Sequence, residues 1–343
     1  MELRFSPFTL ELRHAFSIAT STRTSTPAMF VELEHDGVIG YGEASMPPYL
    51  GETQASATGF FARAANVLRG PAATDPFQRE KILREIDDVM AGNTAAKAAI
   101  DIALHDWIGK KLGAPWHRIW GLDPHRAPPT SFTIGIDTPE IVRTKTREAG
   151  DFKILKVKLG RGRDEDRATI EAVRDVTDKP ITVDANQGWS SRDDALAMIE
   201  WLADRGVVFV EQPMPKEQLA DSAWLRARSP LPLIADENVQ RLADVVRCAD
   251  AFHGINIKLM KCTGLHEAHQ MITVARALGL KVMLGCMTES SCAISAAAQL
   301  SPLVDWADLD GALLIKNDVF FGVTIVDGRI VLPDAPGIGA RRR

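Results

Sequence analysis

Two textures follow one another along the chain. Over residues 2–13 and 28–36 apolar and polar positions roughly alternate, the period of a half-buried strand, and Asp36-Gly37 ahead of Val38 predicts a hairpin turn. Three helical stretches come next. Asp75-Pro76 opens one, a cap followed by proline in the first turn. In another, from about Thr94 to Lys111, Ala99, Ile102, Ala103, Asp106 and Trp107 recur at helical spacing. Strands followed by helices predict an α+β unit.

From about Thr130 short apolar runs alternate with amphipathic stretches. The strand-like runs are Ser131–Ile136, Ile154–Leu159, Ile181–Asp184, Val207–Glu211, Leu233–Asp236, Ile255–Met260, Lys281–Leu284 and Trp306–Asp310. Helix-like segments such as Arg192–Asp204 and Gly264–Leu278 lie between them. Eight such repeats predict a parallel barrel. A doubly wound dinucleotide fold would need G-x-G-x-x-G after its first strand; Gly160-Arg161-Gly162 is too short and too charged to serve. Val323–Val326, Asp327-Gly328 and Ile330–Leu332 predict a last hairpin that returns to the first unit. The expected fold is α/β: a modified (β/α)8 barrel over residues 126–315, an N-terminal α+β capping domain over 1–125, and a C-terminal segment, 316–343, completing the cap.

Composition narrows the function. The 343 residues are 45% hydrophobic and 25% charged, enough for a large core and unlike a disordered chain. A net charge of −5 argues against nucleic-acid binding, which wants a basic footprint, and Arg341 to Arg343 read as a frayed tail. Residues 1–7 show no secretory signal, and no apolar run approaches the roughly 18 residues of a membrane span. Cys248, Cys262, Cys286 and Cys292 form no C-x-x-C pair and read as buried reduced thiols of a cytoplasmic protein.

Charged residues sit in register with the strands. Lys158, Asp184, Glu211, Asp236, Lys258, Glu289 and Asp308 lie at or just after the ends of apolar runs, with gaps of 26, 27, 25, 22, 31 and 19 residues. Each alone would read as a helix cap. Seven at the spacing of one β/α unit predict a ring at the C-terminal face of the barrel, where such folds build active sites. Asp184, Glu211 and Asp236 converge from consecutive strands without an intervening base, so their mutual repulsion calls for a cation. Hard oxygen ligands favour one Mg²⁺, with Mn²⁺ as the alternative. Glu237 adjoins Asp236, but strand alternation puts Ile234 and Asp236 on one face.

In Lys156-Val157-Lys158 both lysines point the same way, and two neighbouring cations are expected to lower each other's pKa towards that of a general base. Across the barrel, alternation in residues 255–259 puts Asn256 and Lys258 on one face. A cation flanked by two lysines suits removal of a proton from a carbon next to a carboxylate. One lysine takes the proton from one face and the other returns it to the opposite face, inverting the centre.

These strings resemble the enolase superfamily in its muconate-cycloisomerase-like subgroup. They are Lys156-Val157-Lys158, residues 183–189 (VDANQGW), Glu211-Gln212-Pro213, Ala235-Asp236-Glu237 and Asn256-Ile257-Lys258. Within it the chain is most similar to the dipeptide epimerases of the L-Ala-D/L-Glu type, on the strength of Ala307-Asp308-Leu309-Asp310-Gly311. The resemblance implies Lys158 and Lys258 as the acid/base pair, Lys156 as their support, and Asp184, Glu211 and Asp236 as Mg²⁺ ligands. It assigns Asp308 and Asp310 to the dipeptide ammonium, and Thr133 and Met287 to the pocket wall. A loop from about Phe16 to Pro27 would cover the barrel mouth, with Arg23 facing a glutamate side chain. A second loop, Met46–Thr53, would carry Glu52 and Thr53. The expected substrate is L-Ala-D/L-Glu, a dipeptide type released from peptidoglycan, and homo-oligomers are frequent in the family. Alternatives are an N-acylamino-acid racemase, an o-succinylbenzoate synthase, or a barrel reduced to binding. Asp308 and Asp310 argue against the first two, and the complete set of lysines and ligands against the third.

Overall fold

A computed structural model describes residues 1–19 and 21–343. Its first sheet is antiparallel in the order β1 (Glu2–Ser17), β2 (Thr22–His35), β3 (Val38–Ser45). Asp36 and Gly37 make the β2–β3 turn in the left-handed region (φ 49° and 71°), as a two-residue hairpin of matching twist requires. Strands β1 and β2 run on to Ser17 and from Thr22, so much of the expected covering loop is a two-stranded arm; Thr20 lies outside the described residues.

Helices α1 (Gln54–Arg69), α2 (Arg79–Asp88) and α3 (Thr94–Leu112) follow. Helix α2 begins beyond Asp75-Pro76, because the Asp75 side chain accepts from Phe77 N in a preceding turn. Strand β3 meets α3 closely: a Cβ at Gly40 or Gly42 would collide with the Ala103 or Ala99 carbonyl.

Short helix α4 (Trp116–Ile119) leads to the barrel. Its strands are β4 (Ser131–Ile134), β5 (Ile154–Lys158), β6 (Ile181–Asp184), β7 (Val207–Glu211), β8 (Leu233–Ala235), β9 (Gly254–Ile257), β10 (Lys281–Gly285) and β11 (Trp306–Asp308). Each pairs in parallel with the next, and a Thr130–Ala307 bridge joins first to last, so the expected barrel is borne out. Between them lie α5 (Pro139–Glu148), α6 (Arg163–Arg174), α7 (Arg192–Ala203), α8 (Leu219–Arg226), α9 (Leu242–Cys248), α10 (Leu265–Ala277) and α11 (Ser291–Ala298). Register sets Lys158 beside Asp184 and Asp184 beside Glu211.

The first sheet and its helices grip one side of the barrel mouth with carboxylates. Glu43 of β3 accepts from Ser290 N (2.8 Å), Ser290 Oγ (2.5 Å) and Ala293 N (3.2 Å) at the start of α11. Asp101 of α3 accepts from Leu265 N and His266 N at the start of α10. A Cβ at Gly264 would collide with the Asp101 carboxylate, and its φ of 117° is open to glycine. Ser45 Oγ donates to the Thr288 carbonyl (2.6 Å).

The C-terminal residues are not a frayed tail. Strand β12 (Phe320–Phe321) pairs with β15 (Arg341–Arg342); Phe320 packs on Phe30 and Tyr41, and Arg342 pairs with Glu32 at 2.6 Å. Arg341 and Arg343 lie over the Phe321 ring, whose face attracts their charge. The β13 (Thr324–Val326) and β14 (Arg329–Val331) hairpin sits instead at the base of the barrel, where Gly328 O accepts from Thr130 N. The segments flanking it are the ones that reach the first sheet. All four cysteines are free thiols; Cys286 alone of the four is only half-buried. Among the described residues no helix is long and apolar enough to cross a membrane.

Candidate active site

A cleft of about 790 Å³ opens at the C-terminal ends of the barrel strands. Lys156, Lys158, Lys258, Asp236, Asp308, Asp310, Thr133, Met287 and Arg23 all line it. Asp184 and Glu211 lie fully buried at its floor. One oxygen each from Asp184, Glu211 and Asp236 lie within 4.8 Å of one another.

Each of these three carboxylates is tied from behind through one oxygen. Asn186 N donates to Asp184 Oδ1 (2.9 Å), Asn256 Nδ2 to Glu211 Oε1 (2.7 Å) and Lys261 Nζ to Asp236 Oδ1 (2.5 Å). The other oxygens of two of them meet lysines: Lys158 Nζ lies 2.6 Å from Asp184 Oδ2 and Lys258 Nζ 2.7 Å from Asp236 Oδ2. Glu211 Oε2, 2.7 Å from Lys156 Nζ, has no partner in hydrogen-bond geometry. Three preset hard oxygens converging in a buried pocket fit a divalent cation such as Mg²⁺.

Electrostatics follow from burial and pairing. Burial disfavours charge on Asp236, but Lys258 and Lys261 outweigh it and hold this carboxyl well below the usual range. Glu211 is pushed up to about 7 by burial and by Asp184. Lys156 departs from the expectation of a depressed pKa. Burial would lower it, yet Asp308, Glu211 and Asp184 outweigh that and hold it well above the usual lysine value. Its ammonium lies 2.8, 2.7 and 3.2 Å from their oxygens, closer company than a neighbouring cation. Lys258 is likewise held high, Asp236 overcoming the effect of burial.

Asp308 and Asp310 differ. Asp308 bonds Lys156 through Oδ2 and accepts from Ser131 Oγ (2.6 Å) through Oδ1. Asp310 accepts from Thr133 N (2.7 Å), and burial, then Asp308, pushes its pKa up to about 7. Arg23 donates to Thr288 Oγ1 (3.0 Å) and lies 5.3 Å over the Phe16 ring; its buried Nε has no partner. Glu52 and Thr53 turn away from the cleft. Glu52 accepts from Ala95 N and Thr94 Oγ1 at the start of α3, and Thr53 caps α1. Pro47 and Tyr49 line the cleft from that loop instead.

Sequence reasoning missed Lys261, Tyr49 and Ser131. A second lysine three residues after Lys258, in an otherwise apolar turn, was the available sign of Lys261. Tyr49, whose hydroxyl meets Met287 Sδ at 3.2 Å, left no sign, since its loop has no period. Glu289 of the ring is buried with its Oε1 on Met287 N, behind the wall of the cleft.

The chain belongs to the mandelate racemase/muconate lactonizing enzyme family of the enolase superfamily. Residues 4–121 match that family's N-terminal domain and residues 140–342 the enolase C-terminal domain-like family. Over all 343 residues the chain is 60% identical to an L-Ala-D/L-Glu epimerase of Bacteroides thetaiotaomicron, covering 88% of that protein. A substrate-liganded L-Ala-D/L-Glu epimerase of Bacillus subtilis superposes with a TM-score of 0.91 at 29% identity, over 99% of this chain and 98% of that one. A dipeptide epimerase of Cytophaga hutchinsonii complexed with Mg and D-Ala-L-Val gives 0.94 at 26%, over 99% and 95%.

Proposed function

We propose that the protein is an Mg²⁺-dependent dipeptide epimerase that inverts the Cα of the C-terminal residue, with L-Ala-D/L-Glu as substrate. The observation that carries this reading is the placement of two lysines. Strands β5 and β9 stand four apart in an eight-stranded barrel, so Lys158 and Lys258 approach the carboxylate triad from opposite sides. Opposed bases are what inversion needs, and a single base would favour elimination or retention.

Asp184, Glu211 and Asp236 would hold Mg²⁺, which when bound stabilises negative charge developing on the substrate carboxylate. Lys158 removes the α-proton from one face and Lys258 delivers a proton to the other; reversing the roles runs the reaction backwards. Lys156, kept charged by its carboxylate neighbours, adds fixed positive charge beside the developing enolate. Asp308 and Asp310 take the dipeptide ammonium, a group that N-acylated amino acids and succinylbenzoate precursors lack. Thr133 and Met287 shape the walls, and Arg23 supplies an unpaired guanidinium donor for the glutamate carboxylate. Four free thiols accord with a cytoplasmic place in peptidoglycan recycling.

Proton NMR of the protein with Mg²⁺ and L-Ala-L-Glu in D₂O tests this. Loss of the glutamate α-proton signal with growth of the L-Ala-D-Glu diastereomer is expected. Exchange without inversion would refute two-base epimerisation, and silence across acidic, hydrophobic and cationic dipeptides would refute the activity.

A further inference from the structure

We infer that Lys261 is a positioning residue for the cation site, one that fixes the orientation of Asp236 from outside the cleft. The inference rests on the metal reading above.

Lys261 is 1% exposed and does not line the cleft, so it faces neither substrate nor solvent. All three donors of its ammonium are engaged: Asp236 Oδ1 at 2.5 Å, the Asp236 carbonyl at 2.7 Å and the Asn256 carbonyl at 3.0 Å. The two carbonyls bolt it to the ends of β8 and β9, and the third bond turns the Asp236 side chain so that Oδ2 faces inward. Asn256, whose carbonyl anchors Lys261, also holds Glu211 Oε1. One strand end therefore sets the outer oxygens of two of the three carboxylates. Asp184 is set by a backbone amide and Glu211 by a carboxamide, so Lys261 is the charged member of the set.

A buried ammonium beside a carboxylate ligand acts in two opposed ways. As a charge it repels a divalent cation, so its removal would tighten binding. As a hydrogen-bond clamp it preorganises the ligand, and losing such an outer partner typically weakens binding by about 10–100-fold. The three bonds to fixed acceptors favour the clamp. The sign of the change separates the roles.

Mn²⁺ titration of the metal-stripped protein, with free ion read by electron paramagnetic resonance, measures this without turnover. Lys261→Met is expected to raise the Kd for Mn²⁺ about tenfold or more, with its circular dichroism spectrum unchanged. Lys261→Gln, a milder change for the case in which Met prevents folding, is expected to shift Kd in the same direction. Affinity equal to or tighter than wild type in the folded variant would overturn the positioning role. Wild-type protein that binds no Mn²⁺, matching an Asp236→Asn control, would overturn the metal site and the role together.

Discussion

Replacing Arg23 by methionine should separate substrate specificity from chemistry. The guanidinium spends one bond on Thr288 Oγ1 and rests over Phe16, which leaves its buried Nε edge without an acceptor. Burial lowers its pKa from the usual arginine value, the mark of a cation short of a counter-charge. A glutamate side chain would supply that charge in the fork geometry guanidinium favours. A hydrogen bond to a charged group is worth about 1.5–3 kcal/mol, and about 1.4 kcal/mol is a factor of ten. Arg23→Met should therefore lower kcat/KM for L-Ala-L-Glu by roughly ten- to a hundredfold. For L-Ala-L-Leu, which has no carboxylate to lose, kcat/KM should hold or rise. α-Proton exchange in D₂O, followed by NMR for both dipeptides, reads the two numbers under one condition. An equal fall for both would refute the reasoning, because it would place Arg23 in the shared chemistry or in folding.

Single-lysine variants should split the two half-reactions. Lys158→Met and Lys258→Met are each expected to abolish epimerisation, and each to lose deuterium exchange from a different diastereomer; loss of the same exchange in both would contradict opposed bases. Glu289 gives a pH-dependent prediction. Burial and Glu43 raise its pKa to about 8 from 4.5, so the native state holds the proton more tightly than the unfolded chain, and stability falls as pH rises through that window. Glu289→Gln keeps an acceptor for Met287 N and never ionises. Its melting temperature should thus gain on wild type from pH 5 to pH 9, and a constant difference would count against the assignment. Gly264→Ala should cost about 2–3 kcal/mol in urea unfolding, from a φ closed to alanine and a clash with Asp101; an unchanged midpoint would show that the turn relaxes freely.

The barrel was legible in the sequence because its strands are short apolar runs, most of them with a charged residue at or just after the end, and the period of the β/α unit converts distance along the chain into angle around the mouth. The carboxylate triad and both lysines followed from that period. What stayed hidden depends on pairings between distant segments. Nothing local marks Glu52 as the partner of a helix start 42 residues away or Lys156 as the neighbour of Asp308, so a lowered lysine pKa was expected where three carboxylates raise it. The C-terminal arginines misled for the same reason: a charge run reads as solvated until Phe321 and Glu32 are seen beside it.

Glu43 and Asp101 have a consequence for anyone recombining these enzymes. Asp101 satisfies amides at the start of α10, the helix that follows Lys258, and Glu43 those at the start of α11, the helix that follows the Met287 wall. A barrel made without residues 1–112 would lose both acceptors and leave the starts of α10 and α11 to water, on the half of the mouth that holds Lys258. Grafting a foreign N-terminal portion to change substrate choice faces the same demand. The donor must bring an acid to each of the two positions, or the graft will alter catalysis while appearing to alter recognition.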